Sequence, residues 1–201
     1  MSLKWRTSRF LLLGFLRLLF GFRIIGEDRV PRTGKLIICP NHRSYWDPPL
    51  VGAATPREVF FLAKEELFHF KPFAWLISFF NAIPIRRDAG GKSAIKTALR
   101  LLREGKAIVI FPEGTRNRTE KPFLPFRHGA SLLASLSGAP LQPAFIRGPE
   151  SRTYRWLLRE REVSVRFGDP IYPDRYPGGR EGLEKMTEDL RRSMEALAEC
   201  R

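Results

Sequence analysis

Residues 39–49, CPNHRSYWDPP, place a histidine and an aspartate five positions apart in a stretch bounded by prolines. A neutral imidazole takes up a proton at pH 7, and a carboxylate at its other ring nitrogen fixes the tautomer and stabilises the imidazolium that forms. His42 and Asp47 therefore read as a general base and its orienting partner. They also read, more plainly, as two polar residues in a turn. Asp47 precedes PPLVGAA, aspartate is favoured as a helix N-cap, and proline is favoured at the first helical position. One carboxylate can serve both roles.

A second polar run, FPEGTRNR at residues 111–118, offers Glu113, Arg116 and Arg118 around Gly114. Lys64 closes EVFFLAK, and Arg86 and Arg87 close AIPI. Such cations recognise anions, and a guanidinium grips two phosphate oxygens at once. The plainer alternatives are a local Glu113–Arg116 salt bridge that only shapes the loop, and a solvated basic surface for Arg86 and Arg118. The histidines are His42, His69 and His128, without HExxH or a cysteine pair, so no metal site is expected.

The elements that must carry these groups alternate between strand and helix. KLIIC, from Lys35, leads straight into Pro40 and His42; EVFFLAK (58–64) and AIPI (82–85) are further strands. KSAIKTALRLLREG (92–105) has helical spacing and stops at glycine, and the strand KAIVIFP follows. HGASLLASLSG (128–138) is another glycine-closed helix, then come the strands APLQPAFI and EVSVRFG and a charged terminal helix at 180–199. This pattern predicts an α/β fold, a mostly parallel sheet flanked by helices. In such sheets active sites gather at the carboxyl ends of strands, which is where His42, Lys64, Arg87 and Glu113 fall. Residues 86–92, 116–127 and 147–160 are expected to be the loosest, and no internal repeat or low-complexity tract occurs.

A chain of 201 residues with 43% hydrophobic content buries one good core. Cys39 and Cys200 lie far apart, which suggests no disulfide framework and fits a reducing, cytoplasm-facing location. A formal net charge of +14 draws the chain toward nucleic acid, an anionic membrane or an acidic protein. Residues 10–22 are apolar apart from Gly14 and Arg17, too short a run for a bilayer span of about 20 residues. Arg6, Arg9 and Arg17 share one side of a helix otherwise covered by Leu and Phe. Residues 1–23 are thus expected to form a membrane-interface helix ahead of a domain at 24–201, the alternative being an ordinary amphipathic helix packed on that domain. A signal peptide is disfavoured because no small-residue cleavage site follows.

NHRSYWD, NAIPIRR, FPEGTR and APLQP, in that order within residues 35–147, resemble the four blocks of the glycerolipid acyltransferase family typified by 1-acylglycerol-3-phosphate acyltransferases. FLAKEEL resembles the family segment whose lysine helps to hold phosphate. The resemblance implies transfer of an acyl group from acyl-CoA or an acidic acyl carrier protein to the hydroxyl of lysophosphatidate, giving phosphatidate without any cofactor. It makes His42 the base and Asp47 its partner, and it assigns the acceptor phosphate to Arg116, Arg87 and Lys64. Glu113 orients the glycerol backbone or braces the arginines, Gly114 allows the tight turn, and Pro143 completes the substrate-binding set. Glycerol 3-phosphate and other lysophospholipids are alternative acceptors. A non-catalytic lipid- or nucleic-acid-binding protein is the alternative of another class, set against by the intact blocks and by the lack of interleaved aromatic and basic residues. The expected partners are therefore lipid, thioester and an anionic membrane surface on its cytoplasmic side, and not nucleic acid. No GxSxG occurs, and Cys39 and Ser44 lack the setting of a nucleophile, so no acyl-enzyme is expected. The aromatic stretch 60–80 lines an acyl-chain tunnel, dips into lipid, or simply forms a core helix.

Overall fold

The computed structural model describes residues 2–85, 91–148 and 163–200. Helix α1 (Leu3–Phe20) stops at Gly21, whose left-handed backbone (φ 61°) lets its own amide and that of Phe22 return to the carbonyls of Arg17 and Leu16. The chain continues through β1 (Arg23–Ile25), β2 (Leu36–Pro40), α2 (Asp47–Ala54), β3 (Val59–Lys64), α3 (Lys71–Phe79) and β4 (Ala82–Ile85). It ends with α4 (Lys92–Arg103), β5 (Ala107–Val109), α5 (Gly129–Ser137), β6 (Leu141–Arg147), β7 (Ser164–Phe167) and α6 (Gly179–Glu199).

The seven strands form one sheet in the order β1-β7-β6-β2-β5-β3-β4, with only the β6–β7 pair antiparallel. Strand β2 is central and buried on both faces, which explains its unbroken apolar run. Leu36 and Ile38 join a core beneath α1 and α2, while Ile37 and Cys39 join a second core beneath α4, α5 and α6. Each such side chain contributes about 1.5–3 kcal/mol by leaving water. Strand β4, last in this order, carries Pro84, and edge strands are where a sheet tolerates proline.

Adjacent strands β2 and β5 send their following helices to opposite faces, α2 to one and α5 to the other. Their carboxyl ends therefore bound the crevice at the sheet's switch point, where α/β folds bind ligands. Strand β5 is shorter than the KAIVIFP run suggests, because Ile110 makes a last bond to Ile38 and the chain then turns away through Pro112.

Helix α1 does more than the sequence led us to expect of an interface helix. Trp5, Leu13, Leu16 and Phe20 are buried in the core it shares with α2, and Arg9 pairs with Glu27 at 2.8 Å. On the opposite side Leu3, Phe10, Leu11 and Leu18 stand in solvent, with Phe10 77% exposed. Among the described residues no helix is long and apolar enough to cross a membrane. Helix α3, in the aromatic stretch, exposes Trp75, and Lys4 of α1 sits 4.4 Å over the Phe79 ring.

Candidate active site

The loop after β2 is tied down before its chemistry begins. Buried Asn41 exchanges two hydrogen bonds with the backbone of Ile146 (2.7 and 3.1 Å), extending the β2–β6 ladder by a side chain. The ring of His42 then faces Asp47, with Nδ1 and Oδ2 2.8 Å apart. The same Oδ2 accepts the amides of Arg43 and Ser44, each at 2.7 Å. Asp47 does not cap α2 as an N-cap would, because Pro48 and Pro49 leave no amide ahead of it until Leu50, which bonds Trp46. Its carboxylate turns back toward the histidine loop instead.

Asp47 is 1% exposed and the His42 side chain 18%. Burial pushes the Asp47 carboxyl up from its usual range, and the bonds from His42, Ser44 and Arg43 pull it back. The imidazole stacks on Phe111, with centroids 4.0 Å apart. No hydrogen bond is made by His42 Nε2 among the described residues, so this nitrogen is open to a ligand.

Glu113 is buried beneath the loop. Its Oε1 accepts the amide of His42 at 2.9 Å and its Oε2 the amide of Leu124 at 2.8 Å. Burial pushes this carboxyl up as well, opposed first by the Leu124 amide and then by that of His42. Among the described residues no salt bridge joins Glu113 to Arg116; Glu113 fixes the height of the histidine backbone. The segment 116–127, expected to be loose, is laced to the same loop: Asn117 donates to the His42 carbonyl at 2.7 Å, and Arg43 donates to the carbonyls of Thr119 and Lys121 at 3.2 Å each.

Gly114 has φ 70° and closes a turn by donating to the Phe111 carbonyl at 3.0 Å. Arg116 lies 3.6 Å over the Tyr45 ring and donates to its hydroxyl at 2.8 Å. Lys64 ends β3 at the same sheet edge but two strands from β2, roughly 10 Å away at the usual strand spacing. Pro143 is buried in β6, level with Cys39 and against Gly168, behind the site. Arg86, Arg87 and most of the segments 86–92 and 147–160 lie outside the described residues. Burial pushes the Cys39 thiol far up, and the Ser44 hydroxyl accepts the Trp46 amide at 3.2 Å. Among the described residues no three His, Cys, Asp or Glu side chains cluster as metal ligands would. The sequence reading missed Tyr45, Phe111 as a ring partner, and Arg43; only tertiary pairing reveals them.

A family model described as Acyltransferase matches residues 21–147, the span from β1 to the end of β6 that holds every site residue above. The chain belongs to the acyltransferase family. It is 31% identical over 183 residues to a 1-acyl-sn-glycerol-3-phosphate acyltransferase of Bacillus subtilis, covering 88% of each chain. It is 35% identical over 129 residues to a lyso-ornithine lipid O-acyltransferase of Pseudomonas aeruginosa, covering 63% of this chain and 47% of the relative. The crystal structure of a 1-acyl-sn-glycerophosphate acyltransferase from Thermotoga maritima shares the fold, with a TM-score of 0.71 at 23% identity over 98% of this chain and 83% of that one. In this acyltransferase His42 and Asp47 are thus in hydrogen-bond contact, and Glu113 ties the His42 amide to that of Leu124.

Proposed function

We propose that this acyltransferase acylates 1-acylglycerol 3-phosphate to phosphatidate, using acyl-CoA or acyl carrier protein as donor and no cofactor. The 2.8 Å contact between His42 and Asp47, with Nε2 left open, carries the reading. A carboxylate at Nδ1 places the ring hydrogen there and leaves the Nε2 lone pair for the acceptor hydroxyl. As the hydroxyl oxygen attacks the thioester carbonyl carbon, its proton passes to Nε2 and a new C–O bond forms. Collapse of the tetrahedral adduct breaks the C–S bond, and His42 returns the proton to the departing sulfur. A positioned base of this kind contributes about 10²–10⁴-fold. The inertness of Cys39 and the local bond of Ser44 favour direct transfer over an acyl-enzyme.

Arg116, with Lys64 and Arg87, supplies charge for the acceptor's phosphate, and the Bacillus relative supports that acceptor by name. The outward apolar side of α1, beside Arg6 and Arg17, seats the protein on the cytoplasmic leaflet of an anionic membrane without crossing it. The test is phosphatidate formation by purified protein on vesicles carrying lysophosphatidate, with each thioester donor in turn. Glycerol 3-phosphate and lyso-ornithine lipid serve as competing acceptors. Turnover confined to an acceptor without phosphate would overturn the assignment.

A further inference from the structure

Among the described residues, Arg43 lies in the His42 loop and Arg116 and Arg127 lie in or against the FPEGTR turn, and the structure uses the first two. The guanidinium of Arg43 is taken by the carbonyls of Thr119 and Lys121, and that of Arg116 by the ring and hydroxyl of Tyr45. Arg127 is built differently. Its amide donates to the Pro112 carbonyl at 2.9 Å, which draws the residue back onto the FPEGTR turn from a position just ahead of α5. Its side chain then lies against Gly114 so closely that a Cβ there would stand 2.8 Å from Nε, 2.9 Å from Cδ and 3.3 Å from Cζ. The left-handed φ of 70° requires a glycine at Gly114, and its bare Cα leaves the space that the Arg127 side chain occupies. Among the described residues no hydrogen bond or ion pair uses the Arg127 guanidinium.

A long side chain pinned at its base to a turn, with its donors unused, is arranged to meet an acceptor that arrives from outside. The turn also carries Arg116, two residues past Gly114, so both cations belong to one loop. We propose that Arg127 is a further ligand of the acceptor's phosphate, acting with Arg116, and that Gly114 is the residue that admits it. The assignment rests on the reading that the acceptor is a phosphate monoester. A guanidinium offers such a group two parallel N–H bonds, geometry that lysine cannot match.

The test is calorimetric binding of glycerol 3-phosphate to the intact protein and to Arg127→Ala and Arg127→Lys, alongside turnover of lysophosphatidate. Arg127→Ala weakens glycerol 3-phosphate binding and raises the acceptor KM by roughly tenfold to a hundredfold, the scale of charge-assisted hydrogen bonds. Donor KM and thermal midpoint stay the same, and Arg127→Lys recovers part of the loss. Gly114→Ala, strained at φ 70° whatever the space, lowers the thermal midpoint as well, which Arg127→Ala does not. Unchanged glycerol 3-phosphate affinity in Arg127→Ala, equal loss for donor and acceptor, or no binding of the probe by the parent protein overturns the assignment. Failure of the parent protein to turn over lysophosphatidate, with the probe still bound through Arg127, would instead reject the proposed acceptor alone.

Discussion

The corner that holds His42 and the rim that holds Arg116 lie on neighbouring loops but are built on opposite plans. In the corner each carboxylate meets several donors: Asp47 takes three N–H groups on one oxygen, and Glu113 takes one amide on each of its two. Nothing there needs to move for a proton to change hands. On the rim the cations rest on a tyrosine ring and on a glycine backbone, partners that an arriving anion can outcompete or bridge. On the function proposed above, the groups that would shift protons are held rigidly, and those that would bind the acceptor are left incomplete until a ligand completes them.

Substitutions in the two regions should therefore fail differently. The largest effect is expected from His42→Ala, which lowers kcat by about a thousandfold while circular dichroism and vesicle binding stay normal. Near-normal turnover in a folded His42→Ala protein would remove the corner from the chemistry. Asp47→Ala comes next, with kcat reduced about a hundredfold. It also strands the amides of Arg43 and Ser44, costing about 1–3 kcal/mol, so the melting midpoint falls by about 2–4 °C for each kcal/mol lost. A full-activity Asp47→Ala protein with only a lower midpoint would reduce the aspartate to a brace. On the rim, Arg116→Ala should raise the acceptor KM by roughly tenfold to a hundredfold with kcat and donor KM little changed. If kcat falls and KM does not, the rim is part of the corner. The smallest effect is expected from Tyr45→Phe, which keeps the ring under Arg116 and removes one hydrogen bond, changing acceptor KM by about twofold to tenfold. A loss as large as that of Arg116→Ala would make the tyrosine hydroxyl a ligand in its own right.

The corner was more legible in the sequence than the rim. Apolar runs such as LIIC end in polar residues, and in a parallel sheet that alone brings β2 and β5 ends together. The pairing of His42 with Asp47 follows from five residues of chain entering a helix. Glu113 was recognisable as a site residue, but its partners are amides 71 and 11 positions away, which no local pattern reveals. The turn of Asp47 away from α2 was present in the letters PP, since two prolines withhold the amides a cap would use. Tyr45 under Arg116 and Arg127 over Gly114 depend on loops from different strands meeting, and nothing in their spacing announces it. Strand β1, three residues long, is defined only by its alignment with β7.

Helix α1 belongs to the core by Trp5, Leu13, Leu16 and Phe20 while its other side stands bare. Losing Trp5 alone is worth about 3–5 kcal/mol, a large part of the 5–15 kcal/mol or so that holds a domain together. Cutting the helix away would therefore unmake the fold before it could report on attachment, and charged replacements at Phe10, Leu11 and Leu18 are the way to ask that question. A foot that is also a roof beam permits no swivel. Whatever surface meets α1 meets the whole sheet in one pose, so the reach from that surface to His42 is a fixed length set by the architecture.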